Sequence, residues 1–124
     1  MQVESLDQVN IATPDVAATA RWYADVLGLD SRAPNASVPP ERALWLLDAA
    51  GRAIIHLQKL SDRAGPTGPV HHVALRCRGH TEVIARLQQL GMEHQSAFVE
   101  QLGRYYVVLR DPHGVVLELN FDER

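Results

Sequence analysis

Hydrophobic and polar positions follow two periods along this chain, and the periods change in the same order in its two halves. QVNIAT (8–13) alternates with period two and predicts a strand. Thr13 and Pro14 then supply an expected helix N-cap and first-turn proline. Val16, Ala20, Tyr23 and Leu27 recur at helical spacing, and Gly28 is placed to end the helix. A short strand near Leu29 leads into the Pro-rich loop SRAPNASVPPER (31–42), which reads as a surface loop, and then ALWLLDAAGRAIIHLQ (43–58) reads as a hairpin. The second half repeats this grammar. HVALRC (72–77) is a strand, Val83, Leu87 and Leu90 stripe a helix that stops at Gly91, and YYVVLRDPHGVVLELN (105–120) is a hairpin. Asp48 and Gly51 in the first hairpin turn recur as Asp111 and Gly114, both 63 residues on. DPHG suits a turn, because proline presets one backbone angle and glycine accepts the left-handed one.

The repeat divides one domain, 1–124, into module one at 5–58, a linker at 59–69 (KLSDRAGPTGP) and module two at 70–122. Duplication alone says nothing about function. The residues at equivalent places do: Gln8 falls opposite His72, 64 residues on, and His56 opposite Glu118, 62 residues on. All four can ligate a metal. In VHHVALRC (70–77), strand alternation puts His72, Ala74 and Arg76 on one face and His71, Val73, Leu75 and Cys77 on the other. The four ligand-type residues thus share a polar face with Asn10, Gln58, Arg76 and Asn120, while Val9, Ile11, Ile55, Leu57, Val73, Leu75, Leu117 and Leu119 point towards the helices. Nitrogen and oxygen donors without thiolate suit Zn, Ni, Co, Mn or Fe(II) better than Cu(I) or an iron–sulfur cluster.

Composition narrows the partner. The 124 residues are 46% hydrophobic and 22% charged, with a formal net charge of -3. Without a Lys/Arg run there is no electrostatic footprint for nucleic acid or an anionic membrane, so a small molecule is the expected partner. MQVESLDQV lacks a basic stretch followed by an apolar one, and no apolar run is long enough to cross a bilayer, which predicts a cytoplasmic protein. Cys77, the single cysteine, stands at an apolar-face position and reads as a buried inert thiol. Trp22 and Tyr23 read as core or dimer-contact residues, and His80, His94 and His113 as solvent-facing. Trp45, Tyr105 and Tyr106 lie on strands next to the polar face, and alternation lets only one of the two tyrosines share it.

DQVNIATPDVAATARWYADVLGLD (7–30), AIIHLQ (53–58), VHHVAL (70–75) and DPHGVVLELNF (111–121) resemble the vicinal oxygen chelate superfamily, the glyoxalase, bleomycin-resistance and extradiol dioxygenase group. The resemblance spans nearly the whole chain. It implies an α+β fold of paired βαβββ modules, an eight-stranded cup-shaped half-barrel with helices on its outer face. It also implies a divalent metal at Gln8, His56, His72 and Glu118, and a homodimer whose cup is built within one chain or from modules of two. The pattern departs from each subfamily. Glyoxalases usually carry Glu where this chain has His56, and a glutathione-contacting arginine where it has Ala12. Extradiol dioxygenases and fosfomycin-modifying members carry His where this chain has Gln8, and bleomycin-binding members lack the metal set.

Three functions follow as expectations. One is a glyoxalase-like lyase or isomerase, in which a metal chelates vicinal oxygens of a small oxygenated substrate and stabilises an enediolate while Glu118 or a metal-bound water moves the proton. The second is an Fe(II) extradiol-type dioxygenase using His56, His72 and Glu118. The third is a non-catalytic binding or resistance protein that holds its ligand without turnover.

Overall fold

The computed structural model describes residues 1–60 and 67–122. The elements run β1 (Val9–Thr13), α1 (Val16–Leu27), β2 (Asp30–Arg32), β3 (Ala43–Leu47), β4 (Ala53–Lys59), β5 (Val73–Cys77), α2 (His80–Gln89), β6 (Gln95–Val99), β7 (Arg104–Arg110) and β8 (Val116–Phe121). The expected α+β fold with paired βαβββ modules is what the chain forms. It divides into two compact units, Met1–Arg63 and Ala64–Arg124. The stretch read as a linker, 59–69, falls partly on residues 61–66, outside the described residues, and Lys59 at its start still belongs to β4.

The first unit carries a four-stranded sheet in the order β1-β4-β3-β2, and the second one in the order β5-β8-β7-β6. In each, the first strand pairs in parallel with the last, and the remaining pairs are antiparallel. The repeat extends to the register. Val9 faces Ile55 as Val73 faces Leu117, and Thr13 faces Lys59 as Cys77 faces Phe121, which are the 64- and 62-residue offsets read from the sequence.

The core of the first unit is Ile11, Val16, Ala20, Tyr23, Val26, Leu46, Ile55 and Leu57. Helix α1 packs on β2, β3 and β4 through this set. Its N-cap is Asp15, not Thr13: the Asp15 carboxylate accepts from the Ala18 N–H at 3.0 Å. Thr13 is instead buried, its hydroxyl 2.7 Å from that of Thr19. The Thr13 hydroxyl also accepts from the Asp15 N–H at 3.1 Å, one residue ahead of the first helical residue, Val16. Gly28 ends α1 in the left-handed conformation, as its position predicts.

In the second unit Leu87, Val107, Leu109, Leu117, Leu119 and Phe121 are buried. Each such side chain contributes roughly 1.5–3 kcal/mol relative to an exposed one. The expected stripe of α2 is only partly realised. Leu87 is buried, Val83 is half-buried and Leu90, just past the helix, is exposed. His80, expected in solvent, instead stacks on Tyr105 with ring centroids 4.1 Å apart, meets Phe121 edge-on and bonds Ser96 Oγ at 3.2 Å. That settles the two tyrosines. Tyr105 lies on the helix side, and Tyr106, opposite Asn120, shares the face of Glu118.

Candidate functional site

Polar and apolar positions along β8 separate cleanly: Leu117, Leu119 and Phe121 are buried, while Glu118 and Asn120 stand half-buried on the other face. The parallel pairing of β5 with β8 sets Ala74 beside Glu118, and so brings His72, just before β5, to the same end of that face. His72 Nε2 and Glu118 Oε2 are 3.9 Å apart. Asn120 Nδ2 donates to the same Glu118 oxygen at 3.0 Å and fixes the carboxylate plane. The other oxygen, Oε1, has no hydrogen-bond partner among the described residues. Further along the face Asp122 pairs with both Arg76 and Arg104, the latter at 3.2 Å.

His71 does not retreat to an apolar position. Both histidines are exposed, and their Nδ1 atoms lie 2.9 Å apart with the rings edge to face. One Nδ1 must donate and the other accept. When His72 donates, its Nε2 is left with a lone pair, which is the tautomer a metal ligand needs.

In the first unit β1 and β4 place Asn10 directly opposite His56, and Gln8 precedes β1 on the same face, exposed. His56 is half-buried on β4 and stacks on Trp45 of β3, with ring centroids 4.5 Å apart and planes 13° from parallel. The Arg32 guanidinium of β2 lies over the Trp45 ring, 5.6 Å from its centroid. Sequence reasoning had only placed Trp45 near the polar face. Its pairing with His56 depends on the β3–β4 register, which shifts between Leu46 and Leu47 at a bulge that no local residue pattern announces.

Of the four expected ligands, the structure thus brings His72 and Glu118 together in the second unit and sets Gln8, just before β1, and His56, on β4, in the first. Among the described residues no group of three or more His, Cys, Asp or Glu is already gathered to hold a metal ion. The donors themselves fit one. Two ligands each ~2.0–2.2 Å from a shared cation stand about 3 to 4 Å apart, which the His72–Glu118 spacing of 3.9 Å satisfies. Imidazole, carboxylate and amide oxygen form a set suited to borderline and hard divalent ions. Cys77 adds no thiolate to it: burial pushes its pKa up to about 11. Among the described residues no helix is long and apolar enough to cross a membrane.

Comparison with known proteins gives the family and the fold. The sequence matches the family model of the glyoxalase-like domain over residues 8–120. A search of curated proteins returns no match. Among solved structures, a glyoxalase/dioxygenase from Nostoc punctiforme superposes with a TM-score of 0.80 at 15% identity, covering 97% of this chain and 92% of its own. A glyoxylase/bleomycin resistance protein/dioxygenase domain from Frankia sp. EAN1pec gives 0.74 at 15% identity, covering 99% and 95%. Lactoylglutathione lyase from Agrobacterium tumefaciens gives 0.68 at 21% identity, covering 97% and 96%. At these identities the structures share the fold, and the family follows from the sequence match: the chain belongs to the glyoxalase-like domain family of the vicinal oxygen chelate superfamily.

Proposed function

We propose that this protein is a metal-dependent enzyme acting on a small oxygenated substrate by glyoxalase-like lyase or isomerase chemistry. The observation that carries the reading is the His72–Glu118 pair, 3.9 Å apart, with His72 just before β5, Glu118 on β8 and the carboxylate braced by Asn120. Gln8, His56, His72 and Glu118 would hold the metal, as donors at repeat-equivalent positions. When bound, such an ion supplies Lewis-acid polarisation to two adjacent substrate oxygens. Glu118 is the group that moves the proton. With Oε2 committed to Asn120 and facing His72, Oε1 is the oxygen that accepts the proton from a substrate carbon and returns it. The -3 net charge and the lack of a Lys/Arg run in the sequence accord with a small-molecule partner. As in many relatives of this fold, the working form is read as a homodimer.

Anaerobic purification followed by metal analysis and an oxygen-uptake assay tests this reading. Stoichiometric Zn, Ni, Co or Mn without oxygen uptake is the expected result. Stoichiometric iron with oxygen consumption on a catechol would replace it with the extradiol-type reading, in which His56, His72 and Glu118 hold Fe(II). Ligand binding that survives complete metal removal, without turnover, would replace it with a binding or resistance protein.

A further inference from the structure

Three strands of the first unit line up one residue each: Arg32 faces Trp45, and Trp45 faces His56. Residues directly opposite on one face of a sheet are its closest side-chain neighbours, so the three interact as a row. The indole lies between a guanidinium at 5.6 Å from its centroid and a nearly parallel imidazole at 4.5 Å. His56 is half-buried, yet neither of its ring nitrogens has a hydrogen-bond partner among the described residues. A structural histidine in that setting normally spends at least one ring nitrogen on a partner. Here the plane of the ring is set and both nitrogens are left for something else. The repeat makes the contrast sharper: opposite Glu118 in the second unit stands Val108, and the carboxylate is oriented by Asn120 from its own strand.

We infer that Trp45 is a positioning residue for metal binding: its indole, itself steadied by Arg32, fixes the ring plane of His56 so that an imidazole nitrogen is presented to a divalent cation without rotamer search. Metal-ligating histidines usually get this service from a hydrogen bond to the second ring nitrogen. A stacked indole fixes the plane while leaving both nitrogens open. The inference rests on the reading that His56 is a ligand, and the experiment separates the two.

Co²⁺ alone serves as the probe, titrated into the metal-free full chain in a Trp22→Phe background, where Trp45 is the one remaining indole. Binding is expected to quench Trp45 emission, because an open-shell ion on His56 sits next to the stacked ring. By calorimetry, Trp45→Leu is expected to weaken Co²⁺ about tenfold, the loss typical of removing a group that orients a ligand. Trp45→Phe, which keeps a flat ring, is expected to stay within about threefold of the parent. In the metal-free protein the His56 Cε1 proton should also carry a ring-current shift that disappears in Trp45→Leu. If His56→Ala weakens Co²⁺ but Trp45→Leu does not, His56 is a ligand and the positioning role is overturned. If His56→Ala binds Co²⁺ as tightly as the parent, the ligand reading fails and the positioning role fails with it. Should Trp45→Leu not fold, Co²⁺ binding with unchanged Trp45 emission in the parent overturns the inference.

Discussion

His71 and His72 adjoin in sequence, and only one of them approaches Glu118. His72→Ala is expected to abolish tight metal binding. His71→Ala removes the Nδ1 partner and not a ligand, so it should keep stoichiometric metal with an affinity loss of no more than about tenfold. Calorimetry on the two variants checks this, and equal losses would refute the division of labour. Cys77 offers a second check at this scale. With burial holding its pKa up to about 11, only about one thiol in a thousand is ionised near pH 8. Iodoacetamide should therefore leave the native protein unmodified by mass spectrometry and label it once it is unfolded in denaturant. Rapid labelling of the native state would show that the thiol is not shielded.

The two hairpin turns are the elements the repeat predicts most directly. Asp48 Oδ1 accepts from the N–H groups of Ala50 and Arg52, and Asp111 Oδ1 from those of His113 and Val115. Gly51 and Gly114 follow at φ of 80° and 85°, a region closed to most side chains. Asp111 is 5% exposed, so Asp111→Ala removes a buried acceptor from two half-buried donors and should cost about 1 kcal/mol or more in urea unfolding. Asp48 is only half-buried, and its loss should cost less. Hydrogen bonding from the Arg52 backbone, aided by the Arg52 side chain and the Ala50 N–H, holds the Asp48 carboxyl below its ordinary 3.8. Its contribution is therefore complete above 3.8 and lost as pH falls through the lower folded value. The stability gap between wild type and Asp48→Asn should shrink over that window and stay flat above it.

These turns were legible because Asp, Gly and Pro act locally. The helix start was less so, since Thr13 and Asp15 are both good caps and each takes a backbone N–H, Thr13 from Asp15 and Asp15 from Ala18. His80 was misplaced for a related reason: its stacking on Tyr105 is a tertiary contact across 25 residues. Alternation and repeat offset sufficed to put His72 and Glu118 on one face, because the β5–β8 register is regular. The Trp45–His56 stack lies beside an irregular one and needed the folded sheet.

At the scale of the molecule, a bound metal should act as a stability ligand, since the native state binds it and the unfolded chain lacks the arranged donors. At one hundred times Kd the gain is about 2.7 kcal/mol, a rise in Tm on the order of 10 °C for a domain of this size. Thermal unfolding of chelator-stripped protein, before and after adding back Zn, Ni, Mn, Co or Fe(II), measures it. No shift with any of these ions would sink the metal reading.

The parallel pairing inside each sheet bears on how the protein is made. Each sheet is built from the strands of one continuous stretch of chain. Yet β1 must wait for β4, and β5 for β8, more than forty residues downstream. On the ribosome the first sheet can therefore be completed as soon as Lys59 has emerged, while the second is still being synthesised. Until then β1 has no hydrogen-bonded neighbour, an interval of exposure to aggregation that β5 repeats while it waits for β8.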